Sequence, residues 1–175
     1  MFYQGITKAD VVNGRGVRVV LWVSGCSLHC KNCHNPETWE RTSGSVFDRQ
    51  AKINLFQALD KPYIQGLTLS GGHPLEEYNI KEIYDLIKEV KEIYPQKDIW
   101  LYTGFTWEML MDEKINNEEL SALYKSVIAM CDIIVDGPYI DELRDITLAW
   151  RGSSNQRIID VKKSLEAGRA ILANI

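Results

Sequence analysis

The chain predicts an α/β fold on a largely parallel sheet, and three observations carry that prediction. Short apolar runs of strand-forming residues alternate with segments whose apolar residues recur at helical spacing. Glycine-containing turn signals close the strand-like runs. The 175 residues, 45% of them hydrophobic, suffice for one buried core, whereas a complete eightfold barrel usually needs roughly 250 residues. One domain over residues 1–175 is therefore expected, either a partial (βα) barrel or an open sheet with flanking helices.

The elements follow in order. Val17 to Val23 (VRVVLWV) is a near-continuous apolar run, as expected of a strand covered on both faces. After the loop Ser24 to Trp39 and polar Arg41 to Ser45, the segment Asp48 to Leu59 places Ala51, Leu55, Phe56 and Leu59 at helical spacing, with Asp48 as N-cap. Ile64 to Leu69 reads as a second strand, ending in Ser70-Gly71-Gly72-His73-Pro74, where two glycines are free to take positive φ. From Asn79 to Tyr94, the residues Ile80, Ile83, Tyr84, Ile87, Val90 and Tyr94 form the stripe of an amphipathic helix. Asp98 to Tyr102 is a third strand, followed by Thr103-Gly104-Phe105 and a helix near Thr106 to Met111. Glu118 to Met130 is helical, with Leu120, Leu123, Tyr124, Val127 and Ile128 on one side. It leads into a fourth strand, Asp132 to Val135, stopped by Asp136-Gly137-Pro138. Tyr139 to Asn155 is irregular, and Gln156 to Val161 is a fifth strand. Ligands of such folds sit outside the C-terminal ends of the strands. The loop after Val23, the Gly-Gly loop, Thr103-Gly104 and Asp136-Gly137 all fall on that edge.

Composition excludes several classes. With 24 acidic against 20 basic residues and a net charge of -4, nothing marks a general nucleic-acid binder. The opening MFYQGITKADVV lacks a charged segment followed by an apolar one, and no stretch reaches the length of a membrane span. A cytoplasmic protein with protein or small-molecule partners is expected. Four cysteines in a chain of this length do not make the disulfide framework of a small secreted scaffold.

Three of them, Cys26, Cys30 and Cys33, stand at C-x3-C-x2-C spacing and read as one ligand set. Three thiolates close neither the four-ligand shell of structural zinc nor the four irons of a cubane cluster. One position stays open for chemistry. The alternative is zinc completed by His29, His34 or His73, although structural zinc usually draws on two separated ligand pairs. A ferredoxin would need a local fourth cysteine. Cys131, at a helix-to-strand junction, reads as a small buried hydrophobe. Trp22, Trp39, Trp100 and Tyr102 read as core or loop packing.

With these features in place, the cysteine loop after the first strand and the Gly-Gly loop after the second resemble the radical S-adenosylmethionine enzymes. In that superfamily three cysteines hold a [4Fe-4S] cluster, and the methionine amino and carboxylate groups of S-adenosyl-L-methionine chelate the fourth iron. Within it, Val12-Asn13-Gly14, Ser24-Gly25-Cys26, Ser70-Gly71-Gly72, Asp98-Ile99-Trp100, Val135-Asp136-Gly137 and Trp150-Arg151-Gly152-Ser153-Ser154-Asn155-Gln156 look like one glycyl-radical-enzyme activating family. That family activates anaerobic ribonucleoside-triphosphate reductase, and the resemblance runs from about Asp10 to Arg157. It implies a radical S-adenosylmethionine type of fold and an oxidoreductase that cleaves S-adenosylmethionine reductively. The 5′-deoxyadenosyl radical then takes hydrogen from a glycine of the large reductase subunit, leaving a glycyl radical there. A low-potential electron donor such as flavodoxin is implied as well.

The resemblance also assigns residues. Cys26, Cys30 and Cys33 would hold the cluster. The backbone at Ser70, Gly71 and Gly72 would receive the methionine amino group, since glycine suits close approach to a ligand. By their place at strand ends on the same edge, Thr103, Gly104 and Asp136 are second-tier candidates for contacts to S-adenosylmethionine or to an ion beside it, with a turn-forming role for Asp136 as the alternative. Arg151 would pair with a cofactor carboxylate or a partner, or serve only as loop. His73 stands where the family commonly has Asp and is a neighbour of the site, and Arg15 stands where many members have Pro. His34-Asn35-Pro36 looks more like other glycyl-radical activators. Three other functions therefore remain open at this point: an activator of another glycyl-radical enzyme, a small-molecule radical synthase, and a zinc-stapled interaction module.

Overall fold

In the computed structural model, which describes residues 1–112 and 117–175, the chain begins with β1 (Phe2–Asp10), β2 (Arg18–Val23), β3 (Ser45–Val46) and α1 (Arg49–Leu59). It continues through β4 (Gly66–Gly71), α2 (Glu77–Ile93), β5 (Asp98–Tyr102), α3 (Trp107–Met111), α4 (Glu118–Met130), β6 (Ile133–Asp136), β7 (Arg157–Asp160) and α5 (Val161–Ala167). The strands form one seven-stranded sheet in the order β3-β1-β2-β4-β5-β6-β7. The central strands β2, β4, β5 and β6 are mutually parallel, as expected. The flanks differ. β1 pairs antiparallel with β2 and with β3, and β7 pairs antiparallel with β6, so the sheet is mixed. No α-helix crosses between β6 and β7; residues 137–156, with a short 3-10 turn at Asp141–Leu143, instead turn back over the C-terminal edge, which reverses the strand.

β1 lies in the opening segment, to which the sequence assigns no element. Its register with β2 shifts between Tyr3 and Gly5 and again between Thr7 and Asp10. Such irregularities break the two-residue alternation by which a half-buried strand is recognised. β4 starts and stops two residues later than expected, so Ser70 and Gly71 belong to the strand itself. Helix caps follow the sequence more closely. Asp48 accepts from the Ala51 amide at 2.9 Å, and Thr106 and Asn117 cap α3 and α4 in the same way.

Alternation along the central strands separates two faces. Val19, Leu21, Val23, Leu67, Leu69, Ile99, Leu101, Ile134 and Ile159 are buried against Leu55 and Leu59 of α1, Ile83, Ile87 and Val90 of α2, and Val127 and Ile128 of α4. The opposite face carries Arg18, Thr68 and Ser70 together with Trp100, Tyr102 and Val135.

Arg18 is fully buried, although the apolar run around it suggests an ordinary core strand. Its guanidinium pairs with Asp98 at 2.6 Å, donates to the Thr68 hydroxyl at 2.8 Å and to the Leu67 carbonyl at 3.0 Å, and lies 5.2 Å from the Trp100 ring centre. Burial disfavours the charged form of both partners, and each partner's charge restores the other's. Removing one member of a buried pair strands the other. Asp98→Ala is expected to cost about 3 kcal/mol in urea unfolding. Asp85→Ala, which breaks the exposed pair with Lys81, is expected to cost less than about 0.5 kcal/mol.

Candidate functional site

The cysteine loop is stitched to the fold at both ends. Gly25, at φ +94°, turns the chain out of β2, and a Cβ there would lie 2.4 Å from the Tyr78 hydroxyl oxygen. Its amide donates to the Thr38 carbonyl at 2.7 Å, and the Cys26 amide donates to the Trp39 carbonyl at 3.1 Å. His29 and Asn32 take left-handed conformations at φ 44° and 56°. The outer side of the loop is held by residues 141 and 142, where Asn32 donates to Asp141 at 2.7 Å and Lys31 pairs with Glu142 at 2.8 Å. Cys26, Cys30 and Cys33 are half-buried, and all three line one cavity of about 440 Å³, a volume suited to a small-molecule ligand. Cys131 is apart from them, buried among apolar residues with its thiol on the Val127 carbonyl.

The strand ends converge on this cavity. Ser70, Gly71 and Gly72 line it, as do Thr103 and Gly104 at the end of β5. Gly71 has φ +103° and packs so tightly on β2 that an added Cβ would lie 2.7 Å from the Val23 nitrogen and oxygen. The β2 backbone fills the place where a side chain would stand, so only glycine fits here while lining the cavity. Asp136 is on the same edge but is spent on the fold. Its carboxylate is fully buried, accepts from Arg157 Nε at 3.0 Å and from the Trp107 amide at 2.7 Å, and does not line the cavity. Its hydrogen bonds push the Arg157 guanidinium upward, with those from Glu108 adding to the effect.

His73 is 1% exposed and fully engaged. Its Nδ1 meets Glu76 Oε1 at 3.2 Å, and its Nε2 meets the Thr103 hydroxyl at 2.8 Å. Burial alone would raise the Glu76 carboxyl, but hydrogen bonds from His73 and from the Ser27 amide and hydroxyl outweigh it and hold the group at about 2. Nδ1 thus faces a carboxylate oxygen and Nε2 a hydroxyl. Neither ring nitrogen is left for a metal. His29 is exposed with its ring 4.8 Å from that of Trp39, and His34 is exposed near Tyr139. Among the described residues no three His, Cys, Asp or Glu side chains converge on a single ion as zinc requires. An iron–sulfur cluster spreads its thiolates over separate irons, so three half-exposed thiols around one cavity fit that group better.

Sequence reasoning left several residues out of the site. Trp100 is core, but Trp22, Trp39 and Tyr102 line the cavity: Trp22 on β2 and Tyr102 on β5 share the face opposite the helices, and Trp39 reaches it from the end of the cysteine loop. Tyr102 donates to the carbonyl of Trp150, which takes φ 55° and stacks edge-on against Trp100 at 5.5 Å. The following loop is ordered by Gln156, whose Oε1 accepts from the Gly152 and Ser153 amides and whose Nε2 donates to the Gly137 carbonyl. Arg151 lines the cavity while donating to the Gln156 carbonyl at 3.1 Å. The bridge from Ser27 to Glu76 has no sequence signal at all.

A family model described as a 4Fe-4S single cluster domain matches residues 12–159. An anaerobic ribonucleoside-triphosphate reductase-activating protein of Enterobacteria phage T4 is 41% identical over 158 residues, covering 90% of this chain and 93% of the relative. The protein of that name from Escherichia coli strain K12 is 37% identical, covering 89% and 96%. Its counterpart in Haemophilus influenzae is 37% identical, covering 90% and 97%.

Proposed function

The chain belongs to the family of anaerobic ribonucleoside-triphosphate reductase-activating proteins, and from that premise we propose that it activates such a reductase by generating a glycyl radical on the large subunit. The observation that carries the proposal is the meeting of all three loop cysteines and the Gly71–Gly72 backbone on one cavity. When bound, a [4Fe-4S] cluster supplies one electron to S-adenosylmethionine, splitting its sulfur–C5′ bond into methionine and a 5′-deoxyadenosyl radical that takes hydrogen from the partner's glycine.

The residues of this chain bind, orient and shield. Cys26, Cys30 and Cys33 are the proposed ligands, and they leave one coordination position free. The backbone of Ser70, Gly71 and Gly72 receives the ammonium group of the methionine moiety. Thr103 lines the same wall, and its hydroxyl is oriented by His73 Nε2 and by the Phe105 amide, which donates to it at 3.1 Å. Asp136 acts from behind the wall, fixing Arg157 and the start of α3. Trp22, Tyr102 and Trp150 supply apolar lining that limits water around a reactive radical.

The finer architecture belongs to the same reading. Residues 1–175 form one radical S-adenosylmethionine domain, a partial barrel whose sheet ends at β3 and β7, and the family match over residues 12–159 and the linear strand order support it. No helix among the described residues is long and apolar enough to cross a membrane, in keeping with a cytoplasmic enzyme served by a low-potential donor such as flavodoxin.

Anaerobically reconstituted protein, given dithionite and S-adenosylmethionine, should form 5′-deoxyadenosine. Mixed with the anaerobic reductase, it should give a glycyl-radical signal in electron paramagnetic resonance. A signal only with another glycyl-radical enzyme would reassign the partner, and no 5′-deoxyadenosine from protein with a verified four-iron cluster would sink the proposal.

A further inference from the structure

Glu76 joins the two loops to which the proposed activity assigns the cluster and the cofactor. Its Oε1 accepts from the Ser27 amide at 2.8 Å and from the Ser27 hydroxyl at 2.7 Å, one residue past Cys26. The same oxygen meets Nδ1 of His73, one residue past Gly72, and His73 carries the connection on to Thr103 at the end of β5. Glu76 directly precedes α2, where a side chain would ordinarily cap the helix, yet it makes no cap hydrogen bond. Its bonding capacity goes to the loops instead. The side chain is 11% exposed, and among the described residues it has no ion pair with a lysine or arginine.

We propose that Glu76 is a positioning residue for the proposed reaction: it holds the Cys26 end of the cysteine loop in register with the Gly71–Gly72 edge and fixes a negative charge beside the cluster. The inference rests on reading Cys26, Cys30 and Cys33 as cluster ligands. Both parts follow from the geometry. A carboxylate bonded to the backbone one residue from a ligand restrains that ligand's loop, and the shared contact with His73 makes the restraint common to both loops. A fixed negative charge opposes addition of an electron nearby, so it lowers the reduction potential and makes the reduced cluster a stronger donor. A strong donor is what cleavage of a sulfonium requires.

Two substitutions separate the charge from the tether. Glu76→Gln keeps the length and an acceptor oxygen but removes the charge, and the midpoint potential of the cluster-loaded protein is expected to rise. Glu76→Asp keeps the charge but shortens the reach, and exchange of the Ser27 amide with deuterium is expected to become severalfold faster. Glu77→Gln, on the exposed neighbour, should alter neither reading. An unchanged midpoint in Glu76→Gln, or unchanged Ser27 exchange in Glu76→Asp, overturns the proposal. Neither measurement involves the reductase, so a wild-type protein that binds its cluster but activates no reductase counts against the proposed function and leaves the Glu76 result standing. A wild-type protein that assembles no cluster removes the premise of both.

Discussion

Anaerobically reconstituted Cys30→Ala protein is expected to retain far less iron and sulfide than the wild type and to form no 5′-deoxyadenosine above background. Cys30 stands in the middle of the loop, half-buried on the cavity wall, and its carbonyl receives the Cys33 amide at 3.1 Å. Alanine keeps that backbone contact and removes only the thiol. Two thiolates would remain for a centre proposed to take three from this loop, and among the described residues His73 is too occupied to replace the third. The apolar core between sheet and helices lies on the other side of the sheet, so thermal stability of the cluster-free protein should be nearly unchanged. Cys131→Ala should give the opposite pattern, because Cys131 is packed within that core: some stability is expected to be lost while iron binding persists. Wild-type iron content and product formation in Cys30→Ala would remove the cysteine loop from the mechanism.

Gly71→Ala should weaken both the fold and the cofactor site. The residue is held at φ +103°, a conformation that costs an alanine about 1–3 kcal/mol, and the new methyl group would press on the β2 backbone at Val23. Relief requires β4 to move away from β2 at the place where both strands deliver their loops to the cavity. A loss of about 2 kcal/mol corresponds to a fall in Tm of about 6 °C for a chain of this size. The spectral change of the reduced cluster on adding S-adenosylmethionine should disappear or require much higher concentration. Gly168→Ala is the fitting control, since Gly168 also has positive φ but meets nothing within 4 Å and ends α5 away from the site. A spectral response of wild-type size in Gly71→Ala would overturn the role assigned to this glycine.

Much of the site was legible because its signals are local. Three cysteines within eight residues stand out by their spacing, whereas Ser70-Gly71-Gly72 alone reads as a strand-to-helix turn and gains a ligand reading only from standing on the cysteine edge. The helical stripe of α2 and the Asp48 cap are similarly written into neighbouring residues. Aromatic residues were less legible, because Trp22 and Trp100 read alike in sequence. Trp100 is buried under Trp150, and Trp22 lies on the cavity with its Nε1 donating to Thr7. Asp136 was placed on the right edge, but its carboxylate answers to Arg157, which pairs with it across the antiparallel β6–β7 ladder.

The sequence by itself determined the run of central strands and helices, the strand edge on which the cavity lies, and the three closely spaced cysteines that line it. Those properties depend on periodicity and on donor chemistry among residues close in the chain. Only the tertiary structure decided the antiparallel flanks, the burial of Arg18 against Asp98, and the bridge by which Glu76 reaches Ser27 forty-nine residues away. The Arg18–Asp98 and Ser27–Glu76 contacts join groups distant in sequence, and the antiparallel flanks depend on where the chain reverses at the sheet edges.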